Sequence, residues 1–350
     1  LIINGAMQVA QRGTSSTSNG FHTIDRWLND FGQVDESPTQ AQVDVASGTT
    51  PYTLGFRKAL KWTNGNQTGG AGAGDYMGFS QKIEAQNIAN SGWNYASASS
   101  NITLSFWVKS SVAQNFYGYL HAQDGTAQNY PFETGSLSAD TWTKITKVIP
   151  GNSNLTFNND NGVGLQFQLW AFIGTTYTGT VTLNQWTPFV SGTRIPNNTS
   201  TWYTTNDATL EITGVQLEVG SVATDFEHRS FAQELALCHR YYYLAHEMNG
   251  LGGEKPINLG VAENSSTITS ILRFPVTMRT VPTMEASTGS SFFMFREDNN
   301  SHSFNTLTLR YATRMAAEFT QSGSVSLTSS VGGLLRGAND DATLAFTAEL

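Results

Sequence analysis

The stretch "TGVQLEVGSVATDFEHRSFAQELALCHRYYY", residues 213–243, changes its hydrophobic period partway along. Over 215–219, apolar and polar residues alternate, which is the pattern of a half-buried β-strand. After an acidic turn, Phe231, Leu235 and Cys238 recur at the spacing of one helical stripe. The change of period predicts that one β domain ends here, a short helix follows, and a second β domain begins.

The start of this helix carries a sequence signal. Ser230 is placed to cap it and Gln233 stands three positions later, as in a capping box. A helix of about three turns is marginal alone, so its apolar side must pack on a flanking domain or on a neighbouring chain. We therefore predict domains at 1–229 and 242–350, joined by a helix at 230–241.

The composition supports two β domains and excludes some partners. The chain has 350 residues, of which 39% are apolar and 13% charged, and all eight tryptophans precede the helix. The net charge of −8 provides no basic face, which argues against nucleic acid as a partner. No apolar run has membrane-spanning length, so we expect no membrane insertion. The single cysteine, Cys238, lies within the helical stripe and is expected to be a buried thiol.

Short strand-like runs separated by Asn-, Asp- and Gly-rich turns recur through both halves of the chain. Before the helix, these runs cover 102–110, 115–121, 142–149, 164–172, 179–186 and 210–219. This spacing is typical of antiparallel sandwiches and not of alternating β and α elements. The predicted fold class is all-β, with two β-sandwich, jelly-roll-like domains joined by a short α-helix.

No catalytic, metal or cofactor motif is recognised. The six histidines show no zinc-binding pair, no GxSxG nucleophile motif is present, and the glycine-rich run at 69–78 lacks the Lys-Ser/Thr of a phosphate loop. We therefore assign no catalytic residue, no metal and no cofactor. Glycoside hydrolysis has no local signature, however, and carboxylates such as Glu84 and Glu133 leave it open.

Three predicted strands carry an apolar face and a second face that mixes aromatics with amides and cations. Aromatic rings beside hydrogen-bonding groups suit a sugar, because a pyranose stacks its C–H face while its hydroxyls pair. The rival interpretation is that a strand, a loop or another subunit covers this face. The candidate glycan-binding residues are Trp107, Lys109, Tyr117, Tyr119, His121, Gln166, Gln168 and Trp170.

Several segments in order resemble the tail fibre or virion appendage proteins of bacteriophages. They are "LIINGAMQVAQRGTS" (1–15), "DRW" (25–27), "FSQKIE" (79–84), "TLSFWVKS" (103–110), "WTKIT" (142–146) and "ITGVQLEVGSVATDFEHRSFAQELALCHRYY" (212–242). The central run also resembles jelly-roll carbohydrate-binding modules. The segment "FPVTMRTVPTM" (274–284) is similar to one in the C-terminal β domains of such fibres.

The resemblance implies an external structural protein of a virion, made in the host cytoplasm, that contacts host cell-surface polysaccharide and other virion proteins. It also implies a homotrimer, and we expect the tyrosines at 241–243 to lie in an interface between chains. Two alternatives remain open. One is a head fibre or a decoration or adaptor protein with a purely structural role, and the other is a depolymerase that cuts the glycan it binds.

Overall fold

The computed structural model describes residues 1–323 and 325–350, and the all-β sandwich prediction is confirmed. The chain forms two compact units, Leu1–Glu234 together with Leu350, and Leu235–Glu349. Each sheet takes its strands from one unit only. The domain limits derived from the sequence stay a prediction. Among the described residues, no helix has the length and apolar character needed to cross a membrane.

The first unit contains two six-stranded sheets. Its helices are α1 (Thr50–Thr53) and α2 (Ala85–Ala89). Its strands are β1 (Ser15–Ser16), β2 (Leu28–Gly32), β3 (Thr39–Asp44), β4 (Lys58–Thr63), β5 (Tyr76–Glu84), β6 (Asn101–Ser110), β7 (Asn115–Ala122), β8 (Gln128–Ser136), β9 (Thr143–Pro150), β10 (Val163–Ile173), β11 (Thr178–Gly179), β12 (Thr187–Pro188), β13 (Ile195–Pro196) and β14 (Thr209–Val219). The first sheet has the order β1-β3-β4-β14-β6-β9, the second sheet has the order β12-β8-β7-β10-β5-β2, and β11 pairs with β13.

The inner faces of these two sheets form the core of the first unit. The ring of Phe106 on β6 lies 6.4 Å from that of Phe132 on β8 and 5.8 Å from that of Phe167 on β10. All three side chains are buried. Because side chains alternate along a strand, residues next to these in sequence point away from the core. The candidate binding residues therefore lie on the outer faces of the sandwich.

Five of the six strand-like runs identified before the helix form strands, and the sixth does not. The run at 179–186 contributes only Gly179, at the end of β11, to a strand. Its alternation of Thr, Val and Leu resembles a strand locally, but the Asn184 N–H bonds to Pro131 of β8 and regular pairing with that strand begins at Thr187, after the run has ended. The prediction of a strand at 179–186 is therefore wrong.

The second unit also has two sheets. Helix α3 (Phe231–His239) begins in the first unit and ends in the second. The strands of the second unit are β15 (Tyr242–Glu247), β16 (Lys255–Asn264), β17 (Thr267–Arg273), β18 (Thr283–Ala286), β19 (Phe293–Glu297), β20 (Asn300–Phe304), β21 (Thr308–Ala312), β22 (Ala316–Ser322), β23 (Gly332–Gly337) and β24 (Thr343–Thr347). Their orders are β15-β24-β18 and β20-β19-β23-β16-β17-β22-β21. Phe319 and Phe346 meet between the sheets, with 6.3 Å between ring centroids.

The capping box predicted for α3 is confirmed. The Ser230 backbone N–H donates to Gln233 Oε1 over 3.0 Å, and the Gln233 N–H donates back to Ser230 Oγ over 3.3 Å. Of the predicted apolar stripe, Cys238 is buried, whereas Phe231 is 56% exposed. The stripe is therefore only partly used for packing within the chain.

The tyrosines that follow α3 do not form an exposed cluster. Tyr241 and Tyr242 are 1% and 5% exposed, and Tyr243 is partly buried against the core of the second unit. The expectation that all three lie in an interface between chains is wrong for Tyr241 and Tyr242, because their own chain already covers them.

Two of the sequence segments, residues 1–15 and 25–27, meet around one asparagine. Asn4 is fully buried, and its Nδ2 donates to the carbonyl oxygens of Val9 and Asp25 over 2.8 and 3.0 Å. The Val9 N–H donates to Asn4 Oδ1 over 3.0 Å, and Trp27 Nε1 donates to the Asn4 carbonyl over 3.1 Å. These segments therefore have a structural role, which is to fix the start of the chain against the sandwich.

Candidate functional site

The eight predicted binding residues divide between the two outer faces of the first unit. Trp107 and Lys109 project from β6 in the first sheet, and the other six project from β7 and β10 in the second. Those six form three cross-strand pairs, Gln166–His121, Gln168–Tyr119 and Trp170–Tyr117. The core separates the two groups, so the eight residues do not form one surface.

A segment of the same chain lies over the outer face of the second sheet. This covering segment, residues 174–198, contains β11 and β13, and between them β12, which is the edge strand of the sheet itself. Its Ile195 is fully buried and packs in one apolar cluster with Tyr119 and Trp170. It is fixed at one point by Asn129, whose Nδ2 donates to a carbonyl of the segment over 2.8 Å. The centre of this face is therefore covered by a segment of the same chain, as the rival interpretation expects.

The burial of the six residues follows from this cover. Gln168, Trp170 and Tyr119 are 0%, 2% and 4% exposed. A platform for sugar stacking needs exposed rings, so these residues do not form one. Tyr117, His121 and Gln166 are only half-buried. The second sheet thus offers isolated polar and aromatic groups around a packed centre.

Beneath the cover, side-chain amides form a chain of hydrogen bonds. Gln123 Nε2 donates to Gln166 Oε1 over 3.1 Å, and Gln166 Nε2 donates to Gln168 Oε1 over 3.0 Å. Gln168 Nε2 and Trp170 Nε1 are buried donors without a hydrogen-bond partner among the described residues. A buried donor left unpaired costs about 1–3 kcal/mol, so this part of the face is not optimised for packing alone.

His121 is held neutral by its surroundings. Its ring stacks on Phe189 of the covering segment, with 4.2 Å between centroids and 17° between planes. Burial, together with the nearby Arg194 guanidinium, lowers the pKa of His121 from 6.5 to about 4. The unfolded chain takes up a proton near pH 6.5, whereas the folded chain does so only near pH 4, so stability is lost as the pH falls through this window.

We expect the free energy of unfolding of the wild-type chain to fall more steeply between pH 6.5 and pH 4.5 than that of His121→Gln. The variant loses the ring stacking at every pH, but it lacks the group that takes up a proton on unfolding. Urea unfolding at several pH values measures both slopes. Equal slopes would contradict the assigned direction of the pKa shift.

On the first sheet, Lys109 is already engaged by its own neighbours. Its Nζ lies 3.0 Å from Glu211 Oε1 and 5.2 Å from the centre of the Trp142 ring. Trp107, from the same strand, is half-buried and has Lys144 of β9 as its cross-strand partner. Trp107 therefore remains the candidate aromatic that is best placed to meet a ligand.

Trp107 lines an open cleft of about 200 Å³. Phe226 and His228 from the loop after β14 also line it, together with Lys144 and Ser105. Ser105 is only 4% exposed, and its Oγ has no hydrogen-bond partner among the described residues. The Lys144 ammonium is exposed and interacts electrostatically with the Glu218 carboxylate. The cleft thus combines a flat apolar ring with a hydroxyl and a cation able to bind ligand oxygens.

A β-bulge in β14 shapes this cleft. The pairing with β6 shifts between Thr213 and Gln216, and Gly214 has a φ of +64°. A Cβ at Gly214 would lie 2.6 Å from the Phe56 ring, and the Phe56 and Phe226 rings meet with 4.9 Å between centroids. Glycine is therefore required at the bulge, both for its backbone conformation and for the close approach of Phe56.

Sequence reasoning placed Trp107 on the mixed face of its strand but missed the rest of the cleft. Lys144 lies in the recognised "WTKIT" segment, but its pairing with Trp107 depends on sheet order, which local pattern does not encode. Phe226 and His228 were read as part of an acidic turn. Within 1–323 and 325–350, no three His, Cys, Asp or Glu side chains are grouped so that they could hold a metal ion.

Comparison with known proteins gives structural likenesses only. No protein-family model and no curated protein matches the chain. A domain of tailspike protein 4 of bacteriophage CBA120 matches with 11% identity over 63% of this chain and 21% of its own length, at a TM-score of 0.32. A CBM4 module matches with 14% identity over 63% of this chain and 100% of its own length, at a TM-score of 0.32. The family 11 carbohydrate-binding module of Clostridium thermocellum matches with 11% identity over 60% of this chain and 98% of its own length, at a TM-score of 0.27. At these scores, the fold and the site are assigned from the sheets and the cleft alone.

Proposed function

We propose that this chain is a structural protein of a bacteriophage particle, a tail fibre on the outside of the virion that binds a host surface glycan and assembles as a homotrimer. The observation that carries the glycan-binding part is the cleft beside Trp107. A half-buried indole can stack on the C–H face of a pyranose, while Ser105 and Lys144 pair with its oxygens. The phage part rests on the sequence segments that resemble virion appendage proteins.

The cleft supports binding in preference to cleavage. Asp225 provides the one carboxylate among the residues that line it. Glycoside hydrolysis in its usual form needs two carboxyl groups facing each other across the scissile bond. We therefore propose a non-enzymatic role, in which the cleft holds a sugar without cutting it.

The size of the cleft indicates weak binding at each copy. Its volume is below the roughly 300–1,000 Å³ of sites for drug-sized ligands, so it suits about one sugar ring. A stacked aromatic adds about 0.5–1.5 kcal/mol beyond its area burial. Useful adsorption would then come from several copies acting together, which a trimeric fibre repeated around a particle supplies.

The direct test compares Trp107→Ala with Trp142→Ala on a panel of bacterial surface polysaccharides, using affinity electrophoresis. Both residues are half-buried tryptophans near the outer face of the first sheet, but Trp142 does not line the cleft. We expect Trp107→Ala to weaken binding about tenfold, because the stacking surface is lost. Trp142→Ala should bind like the wild-type chain.

Two outcomes would contradict the proposal. One is equal weakening by both variants, since a general loss of structure would then explain the effect. The other is the absence of binding by the wild-type chain to every polysaccharide of the panel, the host's own included. Release of reducing ends during the assay would instead favour the depolymerase alternative.

A further inference from the structure

The cleft beside Trp107 has an apolar wall in addition to its polar groups. Leu54, Phe56 and Phe226 line it, and Leu54 is 49% exposed. A single exposed leucine is ordinary on a protein surface, but this one lies in a concave site together with aromatic rings. A pyranose stacked on Trp107 pairs its hydroxyls with groups such as Ser105, and hydroxyls gain nothing from apolar contacts. The apolar wall, Leu54, Phe56 and Phe226, therefore indicates a sugar with an apolar substituent.

The β-bulge in β14 places the apolar wall beside the strand that carries Trp107. Thr213, which precedes Gly214, is the cross-strand partner of Trp107. The Phe56 ring approaches Gly214 so closely that a Cβ there would lie 2.6 Å from it, and the Phe226 ring packs edge-on against Phe56. A sugar ring stacked on Trp107 can therefore extend a substituent onto the apolar wall.

Next to the apolar wall is a carboxylate without a partner. Asp225 directly precedes Phe226, lines the cleft and is exposed. Its hydrogen bonds to described residues are made by its backbone carbonyl, which accepts from Gln216 Nε2 over 3.4 Å and from Thr224 Oγ1 over 3.3 Å. The carboxylate makes none, and an ionised carboxylate can only accept hydrogen bonds. A hydrogen-bond acceptor and an apolar surface therefore stand side by side on one loop.

This loop is held in place by the sheet and by α1. The Glu227 N–H donates to Gln216 Oε1 of β14 over 2.9 Å. His228 Nε2 lies 2.8 Å from the carbonyl oxygen of Leu54, the residue that ends α1. The acceptor and the apolar wall are thus positioned before a ligand arrives, which reduces the cost of ordering them on binding.

We propose that the cleft selects an N-acetylhexosamine, with the acetamido N–H donating to the Asp225 carboxylate and the acetamido methyl group packing on the apolar wall. In a planar trans amide, the N–H and the methyl group lie on the same side of the C–N bond. This matches the neighbouring acceptor and apolar surface of the loop. The inference rests on the proposed glycan-binding function and names the class of sugar that the cleft takes.

The same groups argue against two other classes of sugar. A 6-deoxyhexose carries a methyl group for the apolar wall but no N–H for Asp225. A uronic acid would bring a carboxylate near that of Asp225, while the Lys144 ammonium already interacts with the Glu218 carboxylate. Like charges brought together in a binding site oppose association.

The test titrates the intact chain with methyl glycosides and follows binding by saturation-transfer difference NMR. The sugars are N-acetylglucosamine, N-acetylgalactosamine, glucose, galactose, rhamnose and glucuronic acid. We expect one N-acetylhexosamine to bind about tenfold more tightly than the matching hexose, because a methyl group is buried and a hydrogen bond to a charged acceptor is added. The acetamido methyl protons should receive strong saturation from the protein.

Two variants of the loop and wall test the assignment of residues. Leu54→Asn and Asp225→Ala should each reduce the preference for the N-acetyl sugar about threefold, since each removes one of the two contacts. Val148→Asn is the matched control, because Val148 is 43% exposed on β9 but does not line the cleft. It should keep the full preference. If Leu54→Asn fails to fold by circular dichroism, Asp225→Ala decides.

Equal affinity for the N-acetyl sugar and its hexose would overturn the inference, as would a preference for the rhamnoside or the glucuronide. If Trp107→Ala abolished binding in those cases, the proposed glycan-binding function would stand and only the class of sugar would be wrong. Absence of binding by all six sugars would also overturn the inference. Binding to the polysaccharide panel would then decide whether the proposed function fails with it.

Discussion

Replacing Trp170 with Ala is expected to lower the free energy of unfolding by about 3–5 kcal/mol, the usual cost of truncating a fully buried tryptophan. The ring is 2% exposed and packs with Tyr119 and Ile195 beneath the covering segment. It also meets Tyr76 edge-on, with 6.1 Å between centroids. Because Ala would leave a cavity under the segment, the loss should appear in urea unfolding followed by tryptophan fluorescence.

Trp107→Ala is the matched control for this prediction. It makes the same chemical change on the other sheet, but its ring is half-buried, so its cost should stay below about 2 kcal/mol. The two variants therefore separate a packing tryptophan from a binding one. A free energy of unfolding of Trp170→Ala within about 1 kcal/mol of the wild-type value would mean that the covering segment does not pack on Trp170. The outer face of the second sheet would then again be a candidate glycan-binding surface.

Replacing Asn4 with Ala is expected to cost about 3–5 kcal/mol. The change removes three hydrogen bonds from a fully buried side chain and leaves the Val9 N–H without its partner. Each buried group left unpaired costs about 1–3 kcal/mol. Asn4 also has a φ of +56°, a conformation that Ala adopts less readily than Asn. Chemical unfolding measures the total.

Asn184→Ala isolates the backbone contribution. Asn184 has a φ of +60° and is exposed, and its side chain has no hydrogen bond to a described residue. Its replacement should cost only about 1 kcal/mol, the strain of a left-handed conformation. Equal losses for the two variants would mean that the hydrogen bonds around Asn4 contribute nothing, and that residues 1–15 and 25–27 have some role other than fixing the start of the chain.

Five strands of the sandwich could be predicted because their alternating residues give each an apolar face, whereas β2, β3, β4, β5 and β8 lie outside the predicted runs. The run at 164–172 alternates strictly over most of its length and forms β10, and the run at 210–219 forms β14 nearly to its ends. The run at 179–186 alternates as well, but only Gly179 of this run belongs to a strand. The alternation of apolar and polar residues indicates that one side of a segment is apolar. It does not indicate whether a neighbouring strand is available to pair with that segment.

The candidate site was harder to predict because it depends on sheet order. The two-residue alternation correctly placed Trp107 and Trp170 away from the core between the sheets, but it could not assign β6 and β10 to different sheets. Nor could it reveal that residues 174–198 cover Trp170, or that Phe226 folds back beside Trp107. These contacts join residues far apart in sequence, and no motif marks them.

The most direct test of the account is a crystal structure of the intact chain with an oligosaccharide cut from the polysaccharide that it binds best. We predict one pyranose ring stacked on Trp107 in the cleft, with a sugar hydroxyl within hydrogen-bond distance of Ser105 Oγ. A sugar bound on the outer face of the second sheet, with the Trp107 ring in contact with solvent only, would contradict it.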